Sequence, residues 1–282
     1  MQAFSLYKPT NNKTIPLIFD SPHSSHYFPE TDGLMAKKEQ LLTGWDAFVD
    51  ELWQPSVQFG AHVLAANFSR MYVDANRGAT DIDPAIVVHP TADCQPTKYS
   101  ERGMGLIRRF ALPGVDMYNR KLTMNEIQAR IDTYHQPYHH ALKNILDSLY
   151  EQFGAVYHID CHSMKSQGNQ MNIDFGKPRP DVVLGDNLGA CACPKFVDAV
   201  ETAFVKRGYS VVRNDPYKGG YLITNYGDKS QNRHSMQIEL NRALYMNEQA
   251  FEPNENFDKL KANLSEIAAE IAMFISKTLK QD

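Results

Sequence analysis

Apolar runs and helix-like segments alternate along most of the chain. Residues 16–23 (PLIFDSPH) and 155–161 (AVYHIDC) are short apolar runs that end in polar residues, which is typical of buried strands. Between residues 38 and 58 the apolar positions recur at spacings of three and four, which predicts an amphipathic helix. The same criteria predict further strands at 61–69, 71–76, 181–185, 208–214 and 235–240, and further helices at about 123–152, 194–207 and 256–279. Strands separated by helices favour an α/β fold with a mixed, mostly parallel sheet and helices on both faces.

No internal repeat, low-complexity run or interdomain linker interrupts this pattern. We therefore expect residues 1–282 to form a single α/β domain. Residues 78–100 are polar and have little periodicity, which predicts a long loop of the kind that closes over or lines a functional site. Pro137 lies inside the predicted helix at 123–152 and predicts a kink there, because proline removes a backbone donor.

Composition narrows the class of protein. Hydrophobic residues make up 43% of the chain and charged residues 22%, as in soluble globular proteins. The net charge of −4 and the pI near 6.2 give no reason to expect a nucleic acid or an anionic membrane as partner. The sequence contains no apolar run long enough for a transmembrane helix, and residues 1–14 lack the apolar core of a signal peptide. The four cysteines include a CxC pair but no CxxC pair, so we expect a soluble protein in the reducing cytoplasm.

Polar side chains stand at the ends of several predicted strands. In chain order they are His23, Arg70, Asp74, Asn76, Arg77, His162 and Glu239. In open α/β sheets, ligands bind beyond the carboxyl ends of the strands, so we expect these side chains to gather at one site. The helix that follows the first strand adds a further carboxylate, Asp46.

These residue types suit a metal-dependent hydrolase. Catalytic zinc takes three protein ligands from histidine and carboxylate side chains and keeps one position for water, whose pKa it lowers to about 7. His23, Asp46 and His162 could supply the three ligands. Glu239 could carry the proton of the water, and the arginines near the third strand could hold a substrate carboxylate.

Eight sequence blocks follow one another in an order that is more specific than any single block. They are SPHSSHYFP, WDAFVDELW, NFSRMYVDANR, TYHQPYHHAL, IDCHSMKS, RPDVVLGD, NDPYKGGYLITNYG and MQIELNRALYM. This set, spread over roughly residues 16 to 247, resembles the N-formylglutamate amidohydrolase family. The resemblance implies a mixed sheet flanked by helices, similar to that of the zinc carboxypeptidases. It also implies hydrolysis of N-formyl-L-glutamate to formate and glutamate in histidine breakdown.

The resemblance further implies a cofactor, one Zn²⁺ per chain, and a small acyl amino acid with carboxylates as substrate. The implied metal ligands are His23, Asp46 and His162, the implied base is Glu239, and the implied substrate-binding residues are Arg70, Asn76 and Arg77. For the third ligand position, His26 and Asp50 are alternatives to Asp46. The loop from residue 78 to 110 shows no match to the residues that set substrate specificity in the family.

Some features keep two interpretations. Asp160 lies on the same side of its strand as His162 and could orient that histidine or cap a turn. The loop Lys218–Gly220 could approach a ligand closely or form a tight turn between strands. A cluster of three histidines, His135, His139 and His140, contains one pair with the i, i+4 spacing of a metal site, although Pro137 between that pair favours a packing role.

Two rival classes of function remain open. A metal-independent amidase would use Cys161 or Ser163 as nucleophile together with His162. Alternation along the strand turns Cys161 away from His162, which disfavours the thiol. A non-catalytic protein would keep the arginines, bind acyl amino acids and hold no productive metal. Sensitivity to a chelator distinguishes the metal-dependent hydrolase from the metal-independent amidase, and turnover distinguishes it from the binding protein.

Overall fold

One mixed seven-stranded sheet organises the chain. The computed structural model describes residues 2–10, 13–168, 170 and 174–280. The strands are β1 (Phe4–Tyr7), β2 (Leu17–Ser21), β3 (His62–Ala66), β4 (Phe110–Leu112), β5 (Val115–Asp116), β6 (Val156–Met164), β7 (Val182–Gly185), β8 (Val211–Arg213), β9 (Arg233–Asn241), β10 (Met246–Asn247) and β11 (Glu252–Pro253). The main sheet has the order β1-β3-β2-β6-β9-β7-β8, and the other strands form two short ribbons. Strands β3, β2, β6 and β9 run parallel, whereas β1 and β7 are antiparallel to their neighbours β3 and β9.

Helices cover both faces of this sheet. They are α1 (Lys38–Leu42), α2 (Val49–Trp53), α3 (Met124–Arg130), α4 (Gln136–Phe153), α5 (Pro194–Val205), α6 (Tyr221–Tyr226) and α7 (Phe257–Thr278). On one face, α2, α5 and α7 share a core with strand side chains such as Phe19, Ile159 and Ile238. On the other face, α3 and α4 share a core with Ile18 and Leu64. The predicted α/β class is therefore confirmed. That the whole chain forms a single domain stays a prediction.

The described helices include none that is long and apolar enough to cross a membrane.

The predicted strand at 71–76 is wrong, because these residues form consecutive turns. Val73 and Ala75 are fully buried, which accounts for the strand-like alternation in the sequence. The preceding strand β3 is already paired on both edges, with β1 and β2, so no free edge is available beside it. The segment is tied to a loop instead, since the Asp74 N–H donates to the carbonyl of Leu106 at 2.8 Å.

The continuous helix predicted at 38–58 is also wrong. The segment contains α1, α2 and a 3₁₀ helix at Gln54–Phe59. Phe48 has a φ of 62°, in the left-handed region, so a regular helix cannot pass through it. Between α1 and α2, the Asp46 N–H donates to the carbonyl of His23 at 3.0 Å. The interruption therefore places Asp46 beside the end of β2.

The long helix predicted at 123–152 is present but irregular. Helix α3 begins with a capping box formed by Thr123 and Glu126. A π turn at Ile131–His135 joins α3 to α4, whose first turn contains Pro137. The disturbance predicted near Pro137 thus takes the form of a π turn, a feature that is frequent at functional sites. The other predicted strands and helices are present with shifted ends.

A buried polar network lies on the α4 side of the sheet. The Tyr138 hydroxyl donates to Asp20 Oδ2 at 2.6 Å. His158 lies between the other oxygen of Asp20 and the hydroxyl of Ser235, at 2.6 Å from each. All four side chains are buried, and buried polar groups are stable only when they have such partners. The network joins α4 to the three central strands β2, β6 and β9.

Replacing Tyr138 by Phe should lower the free energy of unfolding by about 1–3 kcal/mol, because the buried Asp20 carboxylate loses a donor. Urea denaturation measures the change. Tyr134→Phe is the matched control, since the Tyr134 hydroxyl has no hydrogen-bond partner within the described residues. A loss no larger than that of the control would contradict the proposed contribution of the Tyr138–Asp20 hydrogen bond.

Candidate active site

Three neighbouring parallel strands end at the same edge of the sheet. In the register of β6 and β9, Glu239 lies opposite His162. In the register of β2 and β6, Asp20 lies opposite Asp160, and His23 follows β2 by two residues. The structure therefore brings the two predicted ligand histidines and the predicted base to one edge.

Three buried side chains converge there: His23, Asp46 and His162. His23 Nδ1 lies 3.1 Å from His162 Nδ1 and 3.6 Å from Asp46 Oδ2, and His162 Nδ1 lies 3.0 Å from the same oxygen. Ligand atoms that surround zinc tetrahedrally at about 2.1 Å are about 3.4 Å from one another. The donor atoms and their separations therefore fit a single divalent metal ion.

Each member of this group is held from behind by another buried polar side chain. His23 Nε2 lies 2.7 Å from Asp74 Oδ1, and His162 Nε2 lies 2.7 Å from Asp160 Oδ1. The aspartate of the group accepts a hydrogen bond from Arg242 at 2.9 Å. Contacts of this kind fix the orientation of metal-binding side chains. Of the two interpretations of Asp160, the structure favours the orientation of His162.

The charges in the group favour an added cation. Burial lowers the pKa of His162, but Asp160 and Asp46 outweigh it and raise that pKa well above its usual value. Burial alone would raise the pKa of Asp46, yet hydrogen bonds from His162 and His23 hold it well below the usual range. Asp46 thus remains ionised and stabilises positive charge beside it, as a bound metal ion would supply.

Glu239 lies beside this group and has a raised pKa. Its Oε1 accepts a hydrogen bond from Gln237 Nε2 at 2.7 Å. Burial raises the pKa of Glu239 to about 7; His162 and Arg70 oppose the rise, and Asp46 adds to it. A carboxyl group with a pKa near neutrality can both accept and release a proton at neutral pH.

Two of the predicted substrate-binding residues are arginines at the same edge. Arg70 donates from Nε and Nη2 to Asp74 Oδ2, at 3.2 and 2.9 Å. Arg77 donates to two backbone carbonyls, at 2.9 and 2.7 Å, and its guanidinium carbon lies 4.1 Å from the centre of the Tyr99 ring. Both guanidinium groups are therefore oriented by the protein itself.

Asn76, the third predicted substrate-binding residue, lies behind His162. Its Nδ2 donates to Asp160 Oδ2 at 3.1 Å and lies 3.0 Å from His162 Nε2, and its Oδ1 accepts from the Leu222 N–H at 2.9 Å. A Cβ at Gly220 would lie 2.4 Å from the Asn76 amide, so only glycine permits this approach. Of the two interpretations of the loop Lys218–Gly220, the structure favours close approach. The group that the loop approaches is the Asn76 side chain behind His162.

Other residues with a predicted or alternative role do not join the group. His26 packs edge-on against a tryptophan, and Asp50 lies on α2, so the structure favours Asp46 as the carboxylate of the group. Cys161 lies in the apolar core, where burial raises its pKa well above the usual value and disfavours a reactive thiolate. The hydroxyl of Ser163 accepts a hydrogen bond from Arg242 at 3.0 Å.

The histidines around the π turn support the site from outside. His135 Nε2 lies 2.9 Å from the carbonyl of Arg77, and His139 Nε2 lies 2.9 Å from the carbonyl of Ala75. The other nitrogen of His139 lies 2.8 Å from a tyrosine hydroxyl, and His140 is exposed. These contacts favour the packing role over a metal site and fix the backbone on both sides of Asn76.

Sequence reasoning placed Asp74 among the polar side chains at the strand ends but gave it no specific role, and it assigned no site role to Arg242 or Arg108. Asp74 and Arg242 lie in the blocks VDANR and IELNR. Each is a charged residue close in sequence to a predicted site residue, and that proximity was a signal that could have indicated a role in the site. Arg108 lies in the aperiodic loop, and only the folded chain brings its Nη2 to 3.9 Å from Asp74 Oδ2.

Comparisons with known proteins identify the relatives of this chain. Residues 15–246 match the family model described as N-formylglutamate amidohydrolase. The chain is 31% identical over 238 residues to N-formylglutamate deformylase of Pseudomonas aeruginosa, and the alignment covers 84% of each protein. The chain belongs to the N-formylglutamate amidohydrolase family. The resemblance that the eight sequence blocks carried is therefore confirmed.

Two further relatives strengthen this family membership. N-formylglutamate deformylase of Pseudomonas putida is 30% identical, over 83% of each protein. The crystal structure of N-formylglutamate amidohydrolase from Ralstonia eutropha JMP134 is 39% identical and superposes with a TM-score of 0.94, covering 99% of this chain and 100% of that one. Membership in this family confirms the expected class of reaction, hydrolysis of a linear amide C–N bond.

Replacing Asp74 by Asn should lower the free energy of unfolding by about 3–5 kcal/mol, because Arg70 and Arg108 lose their compensating buried charge. Urea denaturation without added metal measures the loss. Asp32→Asn is the matched control, since the exposed Asp32 pairs with the partly exposed Arg120, and that exchange should cost about 1 kcal/mol or less. Equal losses in the two variants would show that the pairing of Asp74 is no stronger than a surface ion pair.

Proposed function

We propose that this chain is a metal-dependent amidohydrolase that cleaves N-formyl-L-glutamate into formate and L-glutamate. The observation that carries the proposal is the convergence of His23, Asp46 and His162 beside Glu239, whose pKa is raised to about 7. The names of its relatives, N-formylglutamate deformylases, supply the proposed substrate.

The proposed cofactor is one divalent metal ion per chain, and zinc is the ion that two imidazoles and a carboxylate suit best. His23, Asp46 and His162 would hold it. When bound, such an ion lowers the pKa of water to about 7 and polarises the formyl carbonyl. Asp74 and Asp160 keep the two histidine rings in the orientation that binding requires.

Glu239 is the proposed general base and acid. It takes a proton from the attacking water and delivers it to the leaving nitrogen. Its pKa of about 7 suits both steps at neutral pH, because neither the carboxylate nor the carboxylic acid is strongly disfavoured. Gln237 holds Oε1 by a hydrogen bond, which leaves the other oxygen of Glu239 to carry the proton.

Arg70 and Arg77 are the proposed partners of the substrate carboxylates. Arg70 uses Nε and Nη2 in its pair with Asp74, which leaves Nη1 for an anion. Hydrogen bonds between a guanidinium group and a carboxylate are charge-assisted and therefore strong, and a guanidinium group held in place beforehand loses less entropy on binding. For Asn76, the contacts with Asp160 and His162 support a positioning role rather than direct contact with substrate.

The two rival functions have weaker support. A cysteine nucleophile is disfavoured, because Cys161 faces the apolar core. A binding protein without turnover is disfavoured by membership in a family of hydrolases. The proposal includes the role in histidine breakdown that the resemblance implies. It also includes a cytoplasmic location, which the free cysteines fit.

The purified protein should contain about one zinc ion per chain and release formate from N-formyl-L-glutamate, with activity lost on chelation and restored by zinc. Elemental analysis and a formate assay measure both quantities. His23→Gln should lose the metal, whereas His26→Gln, a change of the same kind outside the group, should keep it. Activity that resists chelation would refute the metal-dependent mechanism.

Replacing Glu239 by Gln should leave the metal content unchanged and lower kcat by about 100- to 10,000-fold, because the amide cannot carry the proton. Steady-state kinetics and elemental analysis on the same preparation measure both effects. Glu252→Gln, an exposed change in a short ribbon, serves as the control for loss of one negative charge. Turnover of the Glu239 variant at the wild-type rate would remove Glu239 from the mechanism.

A further inference from the structure

Three arginine side chains surround a single buried carboxylate at the edge of the site. Arg70 forms an ion pair with Asp74 Oδ2 at 2.9 Å, and Arg108 approaches the same oxygen to 3.9 Å. Arg77 contributes a third nearby positive charge, since Asp74 influences its pKa as well. The other oxygen of Asp74 is occupied by His23, at 2.7 Å. Asp74 is therefore shared by two arginines and one histidine, while Asp46 and Glu239 also stabilise the charge of Arg70.

The three guanidinium groups differ in the hydrogen bonds that they donate within the protein. Arg70 donates twice to Asp74, and Arg77 donates to two backbone carbonyls and stacks on Tyr99. Arg108 has a buried Nε without a hydrogen-bond partner in the part of the chain that the structure describes. Its side chain is only 11% exposed. A buried guanidinium donor normally has an acceptor. The Nε of Arg109 also lacks one, but Arg109 pairs with Asp83 at 2.7 Å, whereas the shortest ion pair of Arg108 among the described residues is 3.9 Å.

Packing fixes Arg108 in this position. The two residues before it, Leu106 and Ile107, are fully buried. The Leu106 carbonyl accepts from the Asp74 N–H at 2.8 Å, and the Leu106 N–H donates to the carbonyl of Asp81 at 2.8 Å. The loop that carries Arg108 is thus joined to the segment that carries Asp74, and a preorganised donor binds an anion with little loss of entropy.

The surroundings of Arg108 disfavour its charged form. Burial is the main cause that lowers its pKa, to about 9; Arg70 and Arg77 add to the fall, and Asp74 and Asp46 oppose it. A carboxylate placed between these side chains would remove that unfavourable interaction.

Two neighbouring arginines suit the two carboxylates of the proposed substrate. In N-formyl-L-glutamate the α-carboxylate is attached next to the scissile nitrogen, and the side-chain carboxylate lies farther along the molecule. Arg70 and Arg108 both approach Asp74 Oδ2, at 2.9 and 3.9 Å, so their guanidinium groups are neighbours on the side of Asp74 away from His23. Arg70 is already hydrogen-bonded to Asp74, whereas Arg108 has no contact with a carboxylate shorter than 3.9 Å among the described residues.

We propose that Arg108 binds the side-chain carboxylate of the substrate and so selects dicarboxylic N-formyl amino acids over neutral ones. This inference rests on the proposed function, since it names a specificity residue of the same site. Arg108 lies in the loop at 78–110, in which the sequence revealed no residue that sets specificity. N-formyl-L-glutamine, which has the same length but no second charge, is the discriminating comparison.

The test compares kcat/KM for N-formyl-L-glutamate and N-formyl-L-glutamine in the wild type, Arg108→Gln and Arg109→Gln. The Arg108 exchange should lower the ratio of the two kcat/KM values by at least about 30-fold, because a buried charged hydrogen bond is lost for one substrate only. Arg109→Gln removes the same charge from the next position. Its ratio should stay within about threefold of wild type, since Arg109 is engaged by Asp83 at 2.7 Å.

A second variant keeps the test decisive if Arg108→Gln does not fold. Arg108→Lys retains the charge but not the planar fork, so its ratio should fall by about 5- to 10-fold. An unchanged ratio in the folded Arg108 variants, or an equal loss for both substrates, would overturn the proposal.

Calorimetric titration with L-glutamate and L-glutamine separates this inference from the proposed function. Arg108→Gln should weaken the binding of L-glutamate by at least about 30-fold and that of L-glutamine much less. If the wild type hydrolyses neither formyl compound, the proposed function fails, and the titration still tests Arg108. Equal weakening for both amino acids would overturn the role of Arg108 whatever the turnover.

Discussion

The parallel register of β6 between β2 and β9 is the constraint on which the site depends. In this register Asp160 and His162 share one face of the sheet with Glu239, while Ile159 and Cys161 point into the apolar core on the other. A shift of one residue would exchange the two sets and bury charged groups against α5 and α7. Because an uncompensated buried charge costs several kcal/mol, the apolar core fixes the register, and the register in turn fixes the site.

The site contains several buried ionisable groups that a stable fold alone would not require. Asp46, Asp74 and Asp160 are all buried, and each has a partner that carries or can carry positive charge. Replacing such groups by well-packed apolar residues often leaves a protein as stable or makes it more stable. The arrangement is consistent with the proposed chemistry, since Asp74 and Asp160 orient the two histidines and the three donor atoms could hold a metal ion.

Both errors of sequence reasoning about the fold lie beside this site. The interruption of the helix at 38–58 brings Asp46 to the end of β2, where a continuous helix would have kept it on a helix surface. The turns at 71–76, in place of a strand, direct Asp74 and Asn76 toward the two histidines. Local patterns predict regular elements, and a functional site is where a chain departs from them.

The sequence by itself determined the α/β class, the main strands of the sheet and the histidines at their ends. Short apolar runs and helical spacing are local properties, and parallel strands bring their carboxyl ends to one edge. Only the tertiary structure decided which carboxylate joins His23 and His162, and that Arg108 approaches Asp74. Those contacts link residues far apart in the chain, and they depend on loop paths that carry no periodic signal in the sequence.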